Sequence, residues 1–257
     1  MTLRTVEAAR LWVEEGGAGE PTLLLLHGLG ATGAVWRGLV EVLRGRWPGR
    51  WVVPDLRGHG RSSHTAPYTF GHHAADVAAL LGAAGPLTVL SHSMGAAVGL
   101  ALASGWFGIT VSTTVALGIK VSWTEAELER VQVVARRPVR WFDDRAEAVA
   151  LYLRVAGLDG LVAPDSPEAA SGVVEQDGRY RLAADNATVA VGAPDPARLL
   201  AAAQGRVVLA CGEHDALVRV DELRRYDPTA IELAGLGHNA HVQAPERVWE
   251  LLAASLQ

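Results

Sequence analysis

The sequence is nearly without cysteine and nearly without lysine. Cys211 is the single cysteine, which excludes an internal disulfide framework and a cysteine-based zinc cluster. Lys120 is the single lysine, so arginine carries almost all of the positive charge. The formal net charge is −5, with no basic surplus. Nucleic acid is therefore not an expected partner. No apolar run reaches the ~18 residues of a membrane span. The run Met94 to Ala103 is stopped by Ser104 and Gly105. Met1 to Arg10 carries Arg4, Glu7 and Arg10 with no apolar segment behind them, so no secretory signal is expected. These absences predict a soluble, cytoplasmic protein without a membrane partner.

What is present is ordinary globular composition: 257 residues, 49% hydrophobic and 20% charged. A disordered chain would combine low hydrophobicity with high net charge. The length allows one large domain or two small ones, and a core that needs no disulfide or metal to hold it.

Short apolar runs alternate with helical patterns. Leu23 to Leu26, Trp51 to Val53, Leu87 to Leu90 and Val207 to Ala210 each end in a turn containing Gly, Asp or Ser. Strands buried on both faces have this composition, because helices cover both sides of a parallel sheet. Trp36, Leu39, Val40 and Leu43 share one helical face, and Val248, Leu251 and Leu252 repeat the pattern near the end. Leu3 to Ala8 and Leu11 to Glu15 have the pattern of two antiparallel entry strands. The whole predicts an α/β, doubly wound, mostly parallel sheet.

One region breaks the alternation. After Ile109 to Leu117, about 75 residues pass without a buried-strand run, too many for a plain loop. Thr124 with Glu127, and Asp144 with Glu147, have capping-box spacing. Pro167 after Ser166 suggests a third helix start, and Asp177-Gly178 a tight turn. Residues 121–191 are expected to be an inserted helical cap, with 1–120 and 192–257 forming the core. Trp123, Trp141, Phe142 and Tyr152 are expected to form the cap's own core, with one or two of them lining an apolar pocket; Trp141 and Tyr152 are the candidates for substrate binding. Arg130, Arg136, Arg137, Arg140 and Arg145 make it locally basic, the pattern of a solvated helix face.

The strongest chemical signal is Ser91-His92-Ser93-Met94-Gly95, between the apolar run Leu87 to Leu90 and the helical run Ala96 to Ala103. A nucleophile on a sharp strand-to-helix turn needs small residues two before and two after it, as in G-x-S-x-G. Here Ser91 replaces the first Gly, small for small. Were Ser91 the nucleophile, Val89 would fall where a branched side chain clashes, so Ser93 is the candidate. A serine hydroxyl needs a base, and the base needs a carboxylate to orient it. His238, after Gly235-Leu236-Gly237, and Asp215, after Cys211-Gly212-Glu213-His214, both follow strand-like runs. Strand carboxyl ends converge on one crevice in an open α/β sheet. Glu213 competes for the acid role and His241 for the base. His27-Gly28-Leu29-Gly30 ends the first buried run, where the Leu29 N–H, together with that of Met94, could receive the charge of an acyl-transfer intermediate. His92 is expected to pack. His72-His73 is not a metal pair, because adjacent residues point apart on a helix.

Together these residues resemble the α/β-hydrolase fold superfamily over nearly the whole chain. The likeness rests on His27-Gly28 with Trp36 downstream, the Ser93 turn, Gly212-Glu213-His214-Asp215, Gly237-His238 and the stretch Asp55-Leu56-Arg57-Gly58-His59-Gly60-Arg61-Ser62. The resemblance implies a Ser93 nucleophile, a His238 base and an Asp215 orienter, with a mainly structural role for Asp55 to Ser62. The superfamily hosts diverse substrates; the first expectation for these residues is hydrolysis of a small-molecule carboxylic ester through an acyl-enzyme, with no metal or organic cofactor. A diketone hydrolase, a lactonase and a thioesterase fit the same triad, and a receptor that keeps the pocket without turnover is the rival from a different class. The sequence leaves the oligomeric state open.

Overall fold

The computed structural model describes residues 9–82 and 85–257. The expected strand Leu3 to Ala8 lies outside the described residues. Seven strands form the main sheet: β1 (Val13–Gly16), β2 (Thr22–Leu26), β3 (Trp51–Pro54), β4 (Leu87–His92), β5 (Val111–Leu117), β8 (Arg206–Gly212) and β9 (Ile231–Leu233). Their order is β1-β3-β2-β4-β5-β8-β9, with β1 antiparallel to β3 and every other pairing parallel. The chain leaves β2 in one direction and returns for β4 on its other side. The crevice at that reversal, beyond the carboxyl ends of β2 and β4, is where α/β sheets hold ligands.

The burial of β2 shows why its sequence is a continuous leucine run. Leu23 and Leu25 join one core cluster, and Leu24 and Leu26 the opposite one. On the first face lie α1 (Arg37–Leu43) and α10 (Pro245–Ala254), through Leu39, Val40, Leu43, Val248, Leu251 and Leu252. Trp36 ends a short 3₁₀ turn (Gly33–Trp36) leading into α1 and is fully buried. On the second face lie α2 (Phe70–Leu81) and α3 (Met94–Ala103). Gly95 lets α3 press against the chain after β2, since a Cβ there would lie 2.5 Å from the His27 carbonyl oxygen.

Between β5 and β8 come α4 (Glu125–Ala135), α5 (Arg145–Val155), α6 (Pro167–Ser171), β6 (Val173–Gln176), β7 (Arg179–Leu182), a 3₁₀ stretch (Asn186–Val191) and α7 (Pro196–Ala202). Thr124 and Glu127 form a reciprocal capping box. Asp144 caps α5 through the Ala146 N–H at 2.8 Å rather than through Glu147. The insertion is not wholly helical as expected: β6 and β7 form an antiparallel hairpin, and Phe142 pairs with Tyr180 beside it. Asp177 (φ 51°) and Gly178 (φ 74°) make the two-residue turn, whose left-handed pair matches the twist of the flanking strands. These strands are half exposed, so they lack the apolar run that marks a buried strand. Two short helices of four residues, α8 (Val220–Leu223) and α9 (Ala240–Gln243), complete the fold. No helix among the described residues is long and apolar enough to cross a membrane.

Candidate active site

Ser93 sits between β4 and α3 with φ 52° and ψ −116°. A non-glycine residue held there stores of order 1–3 kcal/mol of strain, which the surrounding structure must over-determine. Its N–H donates to the Leu117 carbonyl at 2.9 Å, and its carbonyl accepts from the Ala96 N–H at 3.0 Å. The serine at 91 fits the turn because it is fully buried with its hydroxyl on the Val115 carbonyl, beside Gly99. Gly28 brings the chain after β2 against the same turn: a Cβ there would lie 3.2 Å from the Ser93 Cβ.

Asp215 and His238 meet beyond β8 and β9. The His238 Nδ1–H donates to Asp215 Oδ2 at 2.8 Å, and Oδ1 accepts from the N–H groups of Leu217 and Val218 at 2.8 and 3.1 Å. The Asp215 side chain is fully buried, and that of His238 is 18% exposed. With Nδ1 committed, Nε2 is the nitrogen left for a reacting proton. Glu213 is exposed and accepts instead from the Gly235 N–H. His241 is buried with neither ring nitrogen hydrogen-bonded, and burial pushes its pKa down to about 3. Gly118 separates the pair from the end of β5: at φ 62°, an added Cβ would lie 3.3 Å from the His238 ring. Because Ser93 is bonded to Leu117, the end of β5 joins the serine turn to the His–Asp pair. The resting structure has no hydrogen bond between Ser93 Oγ and His238 among the described residues, and such bonds often tighten only when substrate binds.

Leu29 lies in a turn braced from below by two buried histidines. The Leu56 N–H donates to His27 Nε2 at 2.9 Å and the Gly30 N–H to His59 Nε2 at 3.1 Å. Their Nδ1–H groups donate to the carbonyls of Gly28 and Arg57 at 2.8 and 3.0 Å. This pattern fixes neutral rings, and burial holds their pKa values near about 4 for His27 and about 3 for His59. The Leu29 N–H has no protein acceptor among the described residues. The Met94 N–H, first of α3, has no intrahelical one.

The two aromatics expected to bind substrate differ in placement. Tyr152 is 1% exposed, packed flat on Gly172 in the core cluster that contains Trp36 and Leu39. It fills the seam between insertion and sheet, and its expected role in lining a pocket is corrected accordingly. Trp141 is half-buried and packs within the insertion, facing the guanidinium groups of Arg181 and Arg179 at 5.8 and 6.0 Å. Arg130, Arg136, Arg137, Arg140 and Arg145 are all exposed. His72 is exposed with Nδ1 against the Thr69 hydroxyl, while His73 is buried.

A family model described as the alpha/beta hydrolase family matches residues 23–251. The chain belongs to the alpha/beta hydrolase family. Among curated relatives, it is 44% identical over 97 residues to the magnesium-chelatase 30 kDa subunit of Rhodobacter capsulatus, covering 36% of this chain and 34% of that one. It is 38% identical over 108 residues to the putative carbamate hydrolase RutD of Caulobacter vibrioides, covering 40% and 39%. The matches thus span little more than a third of these relatives. A solved structure, that of E-2-(acetamidomethylene)succinate hydrolase, superposes with TM-score 0.79 over 96% of this chain and 94% of that one, at 26% identity.

Several residues of this alpha/beta hydrolase site escape sequence reasoning. Gly118 is one glycine among 28. Asn239 follows His238, and its side-chain amide donates to the Ala156 and Gly157 carbonyls at 3.2 and 2.8 Å, clipping the end of α5 beside the histidine. Val155, 52% exposed, rests on Gly30 next to Leu29, where an added Cβ would lie 3.0 Å from its Cγ1. His59 lies inside the stretch Asp55 to Ser62, and only its bond to Gly30 reveals what that stretch supports.

Proposed function

We propose that the protein is a serine hydrolase of small carboxylic esters, working through an acyl-enzyme. The observation that carries this reading is Ser93 in a strained backbone conformation at the end of β4, with a hydrogen-bonded His238–Asp215 pair beyond β8 and β9. Ser93 Oγ attacks the ester carbonyl while His238 Nε2 takes its proton. The charge arriving on the carbonyl oxygen is met by the N–H groups of Leu29 and Met94. The tetrahedral intermediate collapses, the C–O bond to the alcohol breaks, and His238 returns the proton to the leaving oxygen. Water then attacks the acyl-enzyme by the same steps in reverse, releasing the acid and restoring Ser93. Asp215 holds the imidazole so that Nε2 faces the reaction.

Residues 1–120 and 192–257 form the core in this reading, and 121–191 a cap that roofs the crevice and governs substrate choice without supplying triad chemistry. Exclusion of water beneath such a roof strengthens the oxyanion interaction. A carbamate is the second substrate class, favoured by the likeness to RutD over part of the chain.

p-Nitrophenyl esters of graded acyl length, beside a carbamate, a thioester, a lactone and a diketone, test the reading. Ester turnover should exceed the others, and Ser93→Ala should lower kcat by roughly 10³- to 10⁶-fold. A serine-directed phosphonate should add its mass to Ser93. Labelling at Ser91, or wild-type turnover by Ser93→Ala, would reject the nucleophile.

A further inference from the structure

His92 separates the last core residue of β4 from Ser93, and it is 3% exposed. Its Nε2–H donates to the His238 carbonyl oxygen at 2.9 Å, across 146 residues of sequence. Its ring centroid lies 4.6 Å from that of His238 and 4.4 Å from that of His241. On a third side stands Gly28, where an added Cβ would come within 2.9 Å of His92 Nδ1. The ring is thus enclosed by the base loop, by a second buried histidine and by the turn that bears Leu29.

We propose that His92 is a positioning residue, which fixes the main chain of His238 relative to Ser93. The proposal rests on the triad reading above and deepens it. The bond runs to the backbone carbonyl of His238 rather than to its ring. It therefore leaves Nδ1 to Asp215 and Nε2 to the reacting proton, while deciding where the loop that carries both will sit. Because His92 is covalently joined to Ser93, a shift of the serine turn is carried to the base through one hydrogen bond. His27, His238 and His241 are the titratable groups facing His92. Burial, and then its histidine neighbours, hold its pKa well below the ordinary value, so it donates as a neutral ring.

A residue that merely fills space would change thermal stability when replaced and leave turnover per intact site unchanged. The test compares His92→Leu, which has no donor, with His92→Gln, which keeps an N–H near Nε2. Ester turnover is divided by the number of sites titrated with phosphonate. His92→Leu should lose roughly 10- to 100-fold in kcat, the scale of a small misplacement of reacting groups, with KM unchanged. His92→Gln should recover most of that loss. Wild-type kcat per titrated site in His92→Leu, or a glutamine variant as slow as the leucine one, would overturn the proposal. Nitrogen-15 spectra of the wild-type imidazoles decide the question independently if the variants do not fold. An Nε2–H tautomer at His92 supports the bond, and an Nδ1–H tautomer removes the donor and sinks it. Ser93→Ala is run alongside. If it retains activity, the triad reading fails; if it is inactive while His92→Leu is unimpaired, only the present proposal fails.

Discussion

Two helices of similar length mark the extremes of this molecule. All ten residues of α3 are buried, whereas none of the eleven residues of α4 is. The first carries the strained serine at its N-terminus and is held on every side by the sheet, α2 and the chain after β2. The second is defined by its own capping box, with Leu128, Val133 and, just beyond its end, Val139 exposed. The difference teaches where precision can be stored. A residue in a costly backbone conformation survives only where packing leaves it no alternative, and the core around α3 provides that. Other parts of the insertion do meet the core, through an apolar seam of Val149, Tyr152, Leu153, Ala156 and Leu158 and through polar ties of Asp185 with Tyr68 and Gly58, Thr32 with Ser171, and Asn239 with the end of α5. α4 lies outside that seam, with no buried residue of its own, so it can vary without disturbing the serine turn.

The largest expected effect lies on the rigid side. Asp215→Asn should lower kcat on the order of 10⁴-fold with folding intact, because the amide cannot hold the required His238 tautomer. Glu213→Gln, whose carboxylate touches only the Gly235 N–H, should leave kcat near wild type. A crippled Glu213→Gln beside a mild Asp215→Asn would reverse the two roles. Steady-state kinetics with circular dichroism on both variants decides the matter.

Acid should separate the two regions next. His27, His59, His73 and His241 are buried, with pKa values pushed down to about 4 or about 3 by desolvation, and residues 121–191 contain no histidine. In the unfolded chain each imidazole takes up a proton near pH 6.5. The unfolded state therefore binds more protons below that pH. Stability is fully present above pH 6.5 and falls toward pH 4 by at most about 1.4 kcal/mol per pH unit for each histidine. Denaturant midpoints between pH 7.5 and 4.5 should show that slope. A flat profile would mean that these rings are not neutral in the folded protein.

The smallest effect is a contrast between two residues of the insertion. Tyr152→Ala opens a hole in the seam and should cost ~3–5 kcal/mol, as large aromatic truncations in a packed site do. Val133→Ala on α4, 58% exposed, should change stability by less than about 0.5 kcal/mol. Thermal melts of equal depth would mean that α4 is packed in solution as the core is.

The parts of the fold legible in sequence are those whose physics is local. Leu23 to Leu26 reads as a buried strand because both of its faces are covered, and Thr124 with Glu127 announces a helix start through bonds three residues apart. Ser93 is legible because the turn constrains its immediate neighbours. The hairpin β6–β7 escapes because strands with one face open lack a continuous apolar run, although Asp177-Gly178 does mark its turn. Which of Trp141 and Tyr152 is core is not legible, because an aromatic on a helical stripe reads alike whether it meets solvent, ligand or core. Gly118, His92 and Asn239 act through partners far away in sequence, by a long-range hydrogen bond or a close approach between strands, and no local pattern encodes such contacts.

The dihedral angles of Ser93 have an evolutionary consequence. Glycine occupies that conformation without steric cost, so Ser93→Gly should relieve strain and raise the unfolding free energy by about 1 kcal/mol after the entropic cost of glycine, which thermal melts would check. A population of this gene screened for heat resistance alone would be expected to accumulate glycine at position 93, and under the proposed nucleophile role each such survivor would be a sturdier protein without turnover. In the triad reading, serine at this position keeps the chemistry at the expense of stability that the fold would gain from glycine.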